Sequence, residues 1–443
     1  MELKIKGDFL KAQNELKNDQ NNSVSYVYEQ NINPNKGGLL SGATFTIKEV
    51  FATKIAKTTA SSKILETFQP GYNATPVQKL IDAGAIPVAK VYNDELALGG
   101  TGTYSAFGLI KNPIDPLRLV GGSSSGSAAT LTKNISFALG SDTGDSVRLP
   151  ASYNGQVGFK PSYGAISRYG MFAYASSLDT VSYFAHNVND IALVSQALYG
   201  LDNKDFTTVD VEINNVTKRQ PKSICLLNID GQILNPWVFS EYTKLQKRLK
   251  NTDINLEIVD VNADLLRAVK PVYDIVSYSE ASSNLANLNG IAFGSRKKGN
   301  NWEQIMTNTR SQGFGTMVQR RLTLGSFFLF SENQKELFIK AQQVRRLIKE
   351  YWDNLHQKFD LVLFPASADI APFIDSSKNK SYDYMDYILT TSNLAGLPSI
   401  TLPWIKNEQG LGVNIAAECP IYKDQDLLSY ALWLEEFLGG QHE

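Results

Sequence analysis

The sequence predicts an α/β fold, and three observations carry that reading. Short apolar runs of strand length recur along the chain, at residues 43–47, 137–140, 360–364 and 399–402. Segments with helical start and stop signals, or with a helical apolar period, lie between them, so helices and strands alternate instead of separating into all-α and all-β parts. At 443 residues the chain can bury a substantial core, as two or three average domains or as one large α/β domain.

Taken in order, residues 1–38 are polar and Asn-rich, with a weak helical pattern at Phe9 to Leu16, and read as a mobile lead-in to a domain over 39–443. Residues 43–47 form a strand with Lys48 at its C-terminal end, where open α/β sheets place their ligands. Thr75 and Pro76 supply an N-cap and a favoured first-turn proline for a helix that Gly84 stops, and 85–90 is the next strand. A short helix over 127–133 precedes the buried strand 137–140. The charged stretch 203–222 is a surface excursion, 223–227 a strand and 272–288 a helix. Leu337, Ala341, Val344, Leu347, Ile348, Tyr351, Trp352 and Leu355 recur at steps of three and four, which marks a long amphipathic helix before the last two strand runs.

Composition narrows the function. Lys plus Arg is 43 and Asp plus Glu is 44, so no bulk positive charge marks a nucleic-acid binder. Two cysteines, Cys225 and Cys419, make neither a disulfide framework nor a zinc site, and Cys225 falls inside a strand-like run. The N-terminus lacks the apolar core of a signal peptide and no run reaches membrane-span length, so a cytoplasmic protein with no membrane contact is expected. Only three histidines exist: His442 is next to last, His356 falls on the polar side of the long helix, and His186 reads as a loop or cap residue. Histidine acid-base chemistry and histidine metal sites therefore have little support, and no metal site is expected.

Two Gly/Ser-rich loops frame the strand at 137–140: Gly121-Gly-Ser-Ser-Ser-Gly-Ser-Ala-Ala129 and Gly140-Ser-Asp-Thr-Gly-Asp-Ser-Val-Arg148. Glycine lets backbone N–H groups approach a ligand, and serine supplies hydroxyls that attack or relay protons. A plain linker would not flank an apolar strand. Neither a Walker loop nor a dinucleotide loop is present, and Arg148 stands where a G-x-S-x-G elbow needs its second glycine. A hydroxyl nucleophile remains, and Ser146 is the candidate. With histidine scarce, the base is a desolvated lysine, since burial lowers a lysine pKa towards neutrality. Lys48, at the mouth of a strand, is that lysine, and Ser123 can carry the proton between the two.

These loops, with Gly158-Phe-Lys-Pro161, resemble the amidase signature family, from about residue 39 to about 435. Within it the chain is similar to the A subunits of glutamyl-tRNA(Gln) amidotransferases. That similarity runs through residues 90–98, Ser105-Ala-Phe-Gly108, residues 163–170, Ala175-Ser-Ser-Leu-Asp179, residues 279–285, 311–315 and 320–325, and Asn393-Leu-Ala-Gly-Leu-Pro398. The resemblance implies one amidase signature domain with a mixed, mostly parallel central sheet covered by helices. It implies a triad of Ser146, Ser123 and Lys48, with a cis peptide at Gly122–Ser123, and an oxyanion hole from the N–H groups of Thr143, Gly144, Asp145 and Ser146. For L-glutamine it implies Arg321 on the α-carboxylate, Asp386 on the α-ammonium and Tyr273 lining the pocket, since two opposite charges match a zwitterion. It also implies partners. Ammonia would pass to a B subunit that uses ATP and Mg to amidate Glu-tRNA(Gln), and sometimes Asp-tRNA(Asn), while a C subunit braces the two; this chain itself would need no cofactor.

Three departures stand out. Asp145 replaces the family's usual glycine beside the nucleophile, the interval from Ser123 to Ser146 is one residue short at 133–137, and Lys48-Glu49-Val50 replaces the usual Lys-Asp-Asn. Two alternatives stay open: a free-standing amidase with another small amide as substrate, and a scaffold subunit whose oxyanion hole Asp145 has impaired.

Overall fold

The computed structural model describes residues 1–33, 37–375 and 383–439. Its strands are β1 (Val24–Val27), β2 (Thr44–Lys48), β3 (Ile86–Val91), β4 (Phe137–Asp142), β5 (Val157–Lys160), β6 (Thr180–Ala185), β7 (Ser223–Asn228), β8 (Asn255–Asp260), β9 (Leu361–Pro365), β10 (Ser399–Lys406) and β11 (Gly412–Glu418). Among the described residues they join one sheet in the order β1-β3-β2-β4-β6-β5-β10-β11-β9-β7-β8. Helices α1 (Phe9–Lys17), α2 (Thr75–Asp82), α3 (Ser125–Ala129), α4 (Arg148–Asn154), α5 (Val188–Leu198), α6 (Pro236–Lys250) and α7 (Ala263–Asn284) cover it. They are followed by α8 (Trp302–Gly313), α9 (Thr316–Leu329), α10 (Ser331–Gln334), α11 (Lys340–His356), α12 (Thr390–Ala395) and α13 (Asp424–Gly439).

The mixed sheet with helical cover is the α/β architecture expected, but the balance inside it is less parallel than foreseen. Parallel pairs β3/β2, β2/β4, β9/β7 and β7/β8 lie towards its two sides, and the middle, from β4 through β6, β5, β10 and β11 to β9, is antiparallel. β2, β3 and β4 are buried at every residue, because helices lie on both faces. Phe45 of β2 stacks on Phe137 of β4 with ring centroids 5.1 Å apart.

Several elements differ from the sequence reading. The polar lead-in carries α1, which buries Ala12 and Leu16, and β1, which extends the sheet antiparallel to β3. Four residues of edge strand, half-buried throughout, give too weak an alternation to read in advance. Thr75 lies inside the first turn of α2, its hydroxyl directed to Asp202 Oδ2 at 2.7 Å, and Ala74 is the N-cap. α7 starts well before residue 272 and runs through Pro271, although proline normally ends a helical pattern. α11 buries Ala341, Ile348, Trp352 and Leu355, but Leu347 is exposed. His356 is half-buried against Trp352 rather than on a polar face, with ring centroids 6.4 Å apart. His186 Nε2 lies 2.9 Å from the Ile135 carbonyl, as a loop residue, and His442 is outside the described residues. Among the described residues no helix is long and apolar enough to cross a membrane.

Candidate active site

β2 and β4 run parallel with Ile47 opposite Leu139, so their carboxyl ends lie side by side and the loops that follow open on one edge. Lys48 ends β2, and Ser141 and Asp142 end β4. The first Gly/Ser loop folds onto the same edge: Ser124 N–H donates to the Ser146 carbonyl at 3.1 Å, and Asp94 N–H to the Ser123 carbonyl at 3.2 Å. The Gly122–Ser123 peptide is cis. Gly122 has no room for a side chain, since a Cβ there would lie 2.2 Å from Asp94 Oδ2.

Lys48 is fully buried. Its Nζ lies 2.9 Å from each of three hydroxyls, Ser123 Oγ, Ser124 Oγ and Ser141 Oγ. Burial removes the ammonium from water and draws its pKa down to about 7, against the opposing pull of the Asp94, Asp142 and Asp179 carboxylates. A lysine in that state is poised to accept a proton near neutrality. Ser123 and Ser146 are both buried, at 1% and 4% exposure.

The turn carrying Ser146, between β4 and α4, is held by charge. Arg148 is fully buried and pairs with Asp142 through Nε to Oδ2 at 3.1 Å and Nη2 to Oδ1 at 3.0 Å. Its remaining N–H groups reach the Gly144 and Leu389 carbonyls, Ser392, Ser399 and Asn393 Oδ1. Asp142 also accepts Val147 N–H at 3.0 Å, and Asn393 Nδ2 returns to Asp142 Oδ1 at 3.0 Å. Thr143 Oγ1 donates to buried Asp179 at 2.8 Å. The backbone of the expected oxyanion loop is therefore fixed from α4, α12 and the 175–179 turn at once.

The expected pocket residues converge on this loop from distant elements. Tyr273 of α7 packs on Gly144, where a Cβ would come within 3.1 Å of its Cζ. Arg321 of α9 donates from Nη1 to the Tyr174 hydroxyl at 2.9 Å, and among the described residues its Nε is buried with no hydrogen-bond partner. Asp145 is half-buried and lines a cavity of about 490 Å³ together with Tyr153, Asp369 and Asp386. Burial, then the Asp142 charge, pushes the Asp145 carboxyl up to about 7, with Arg148 and Arg321 opposing. Asp386 Oδ2 also accepts the Asp383 N–H at 2.9 Å in a capping box.

Sequence reasoning gave no role to Asp94, Asp142, Asp179, Tyr174, Ser124 or Ser141, and it treated Arg148 only as a break in an elbow pattern. Asp142 and Arg148 stood inside the loop already quoted, and an Asp and an Arg bracketing a buried serine were a readable signal of an ion pair. Asn393, more than two hundred residues away, left no such signal.

Known proteins extend this geometry to a family. The amidase family profile matches residues 10–428. The chain is 37% identical to the A subunit of the glutamyl-tRNA(Gln) amidotransferase of Mycoplasma genitalium, over 94% of this chain and 91% of the relative. It is 38% identical to the corresponding A subunit of Aliarcobacter butzleri, over 90% and 89%. The crystal structure of the glutamyl-tRNA(Gln) amidotransferase A subunit from Thermotoga maritima superposes with a TM-score of 0.79 at 31% identity, over 96% of this chain and 90% of that one. This chain belongs to the amidase family, beside the A subunits of glutamyl-tRNA(Gln) amidotransferases.

Proposed function

We propose that the chain is the glutaminase subunit of a tRNA-dependent amidotransferase, with Ser146 as nucleophile, Ser123 as relay and Lys48 as base. The observation that carries this reading is a fully buried lysine amine, 2.9 Å from Ser123, on the edge of the sheet that also bears Ser146. Ser146 Oγ attacks the side-chain carbonyl carbon of L-glutamine while its proton passes through Ser123 to neutral Lys48. The protonated lysine returns that proton to the leaving nitrogen, ammonia departs, and a glutamyl ester remains on Ser146. Water then attacks the ester, with Lys48 again taking the proton and returning it through Ser123 to Ser146 Oγ as the ester C–O bond breaks, and glutamate leaves. The N–H groups of Thr143, Gly144, Asp145 and Ser146 face the charge that develops on the oxygen, where losing one such donor typically costs about a hundredfold or more in rate. The free Nε of Arg321 supports a place for the α-carboxylate, and Asp386 holds the α-ammonium. ATP and Mg belong to a B subunit that amidates Glu-tRNA(Gln), and possession of that partner and of a C subunit is part of the proposal; no cofactor acts in this chain.

The test is ammonia release from L-glutamine by the chain assembled with B and C subunits, for wild type and Arg321→Ala. Loss of a charge-assisted bond to a carboxylate is worth about 1.5 to 3 kcal/mol, so KM is expected to rise roughly 10- to 150-fold with a smaller change in kcat. A free-standing amidase for a substrate without an α-carboxylate would be unaffected by that change, and an assembly that releases no ammonia would sink the glutaminase reading.

The pH dependence follows from the same groups. Only the neutral amine of Lys48 accepts a proton, and the neutral form grows as pH rises through about 7. kcat/KM is therefore expected to climb with pH to a plateau above that point and to fall away below it. Asp145 becomes an anion over the same range and opposes charge developing in the loop. In Asp145→Asn the plateau is expected a few-fold higher than in wild type at pH 8.5, with little difference at pH 6; a plateau no higher than wild type would show that the carboxylate is harmless to the oxyanion.

A further inference from the structure

Glu95 is used by no step above, yet it is 2% exposed and both of its carboxylate oxygens are engaged by other segments. Oε2 accepts the Gly315 N–H at 2.8 Å, and Oε1 accepts the Ser62 hydroxyl. Gly315 is the N-cap of α9 and has no side chain with which to cap it. A Cβ on Gly315 would lie 2.5 Å from Oε2, so the contact needs glycine there. The first N–H groups of a helix lack partners within it, and a carboxylate at that end both accepts from them and meets the positive end of the helix dipole. α9 carries Arg321 in its second turn.

The other end of this contact leads to the catalytic loop. Asp94, next to Glu95 in the chain, donates its N–H to the Ser123 carbonyl and accepts the N–H groups of Thr101, Gly102 and Tyr104 on its carboxylate. Leu96 and Ala97, just after Glu95, sit at φ of 52° and 62°, a region that side-chain-bearing residues occupy only where their surroundings hold them. Leu96 N–H donates to the carbonyl of Ala60, itself at positive φ. A tightly held turn thus has the Ser123 loop on one side and the start of α9 on the other.

We propose that Glu95 is a positioning residue: its carboxylate locks the N-terminus of α9 to the Ser123 loop and so sets where Arg321 meets the substrate's α-carboxylate. This rests on the glutaminase reading given above. Glu95 touches neither substrate nor reacting atoms; it acts through Arg321. Burial raises its pKa to about 7, with the Ser62 hydroxyl and the Gly315 N–H drawing it back, as expected for a buried carboxylate held by neutral donors.

The experiment is steady-state ammonia release from L-glutamine by the assembled amidotransferase, for Glu95→Ala, Glu95→Gln, Gly315→Ala, Arg321→Ala and the Glu95→Ala/Arg321→Ala pair. Glu95→Ala is expected to raise KM about tenfold and to leave kcat within about twofold. Glu95→Gln keeps an acceptor for the Gly315 N–H and is expected to recover most of that KM. Gly315→Ala drives a methyl into the carboxylate and is expected to reproduce the Glu95→Ala effect from the opposite side, which keeps the test open if either variant folds poorly. Residues acting through one group do not add, so the double variant is expected to match Arg321→Ala alone. A fall in kcat with KM unchanged, or a double variant worse than Arg321→Ala by the full Glu95→Ala factor, would overturn the proposal. Wild type releasing no ammonia would instead strike the glutaminase reading on which it stands.

Discussion

Ammonia release from L-glutamine is expected to fall by roughly a millionfold in Ser146→Ala, the scale seen when a serine nucleophile that works as one unit with its base is removed. Lys48→Ala is expected to lose almost as much, and the double variant little more than either single one, because nucleophile and base act in the same step. Lys48 has no substitute. Among the described residues its amine is surrounded by hydroxyls of Ser123, Ser124 and Ser141, none of which accepts a proton at neutral pH. The nearby carboxylates are committed elsewhere: Asp142 to Arg148, Asp179 to Thr143 and to the Ala175 N–H, and Asp94 to three backbone N–H groups. Single-turnover mass spectrometry provides the second reading, since wild type is expected to show a glutamyl adduct on the peptide bearing Ser146 and both variants none. A Lys48→Ala enzyme within tenfold of wild type would assign the base elsewhere.

Arg148→Met is expected to destabilise the fold by about 3 to 5 kcal/mol, because it leaves Asp142 as a buried charge without its partner. Urea unfolding midpoints would read that loss, and pH provides an independent check. In wild type, burial alone would raise the Asp142 carboxyl, but the Arg148 guanidinium, joined by Lys160 and the Val147 N–H, more than offsets it and holds the pKa below the ordinary value of 3.8. That contribution is present above about 3.8 and disappears as pH falls through the lowered value. Without Arg148, burial raises the pKa instead, so stability is lost as pH rises above the ordinary value. The gap between wild type and Arg148→Met should therefore be small in acid and widen towards neutral pH. A gap independent of pH would mean that Arg148 supports the loop by packing and backbone hydrogen bonds alone. Glutaminase activity is expected to drop as well, since Arg148 also fixes the Gly144 carbonyl within the loop proposed to face the oxyanion.

Fold class, family and the two loops at one sheet edge are all legible along the chain. Those features are local: short apolar runs with helical periods between them, and contiguous Gly/Ser motifs whose residue types and order carry chemistry. It also brought Lys48 into question, because a strand end is visible without knowing what lies across it. How that lysine is tuned is visible only once the chain is folded. Its pKa depends on complete burial and on Asp94, Asp142 and Asp179, which reach it from three separate parts of the chain. The same holds for the Arg148 network, which closes through Asn393 and Leu389, and for the proposed glutamine pocket, where Arg321 meets Tyr174 and Tyr273 meets Gly144. The edge strand β1 and the end-capping of α9 by Glu95 depend in the same way on partners far along the chain. Periodicity and motif spacing record what a residue does for its own helix, strand or loop. Desolvation and charge pairing depend on what folding brings to its other side.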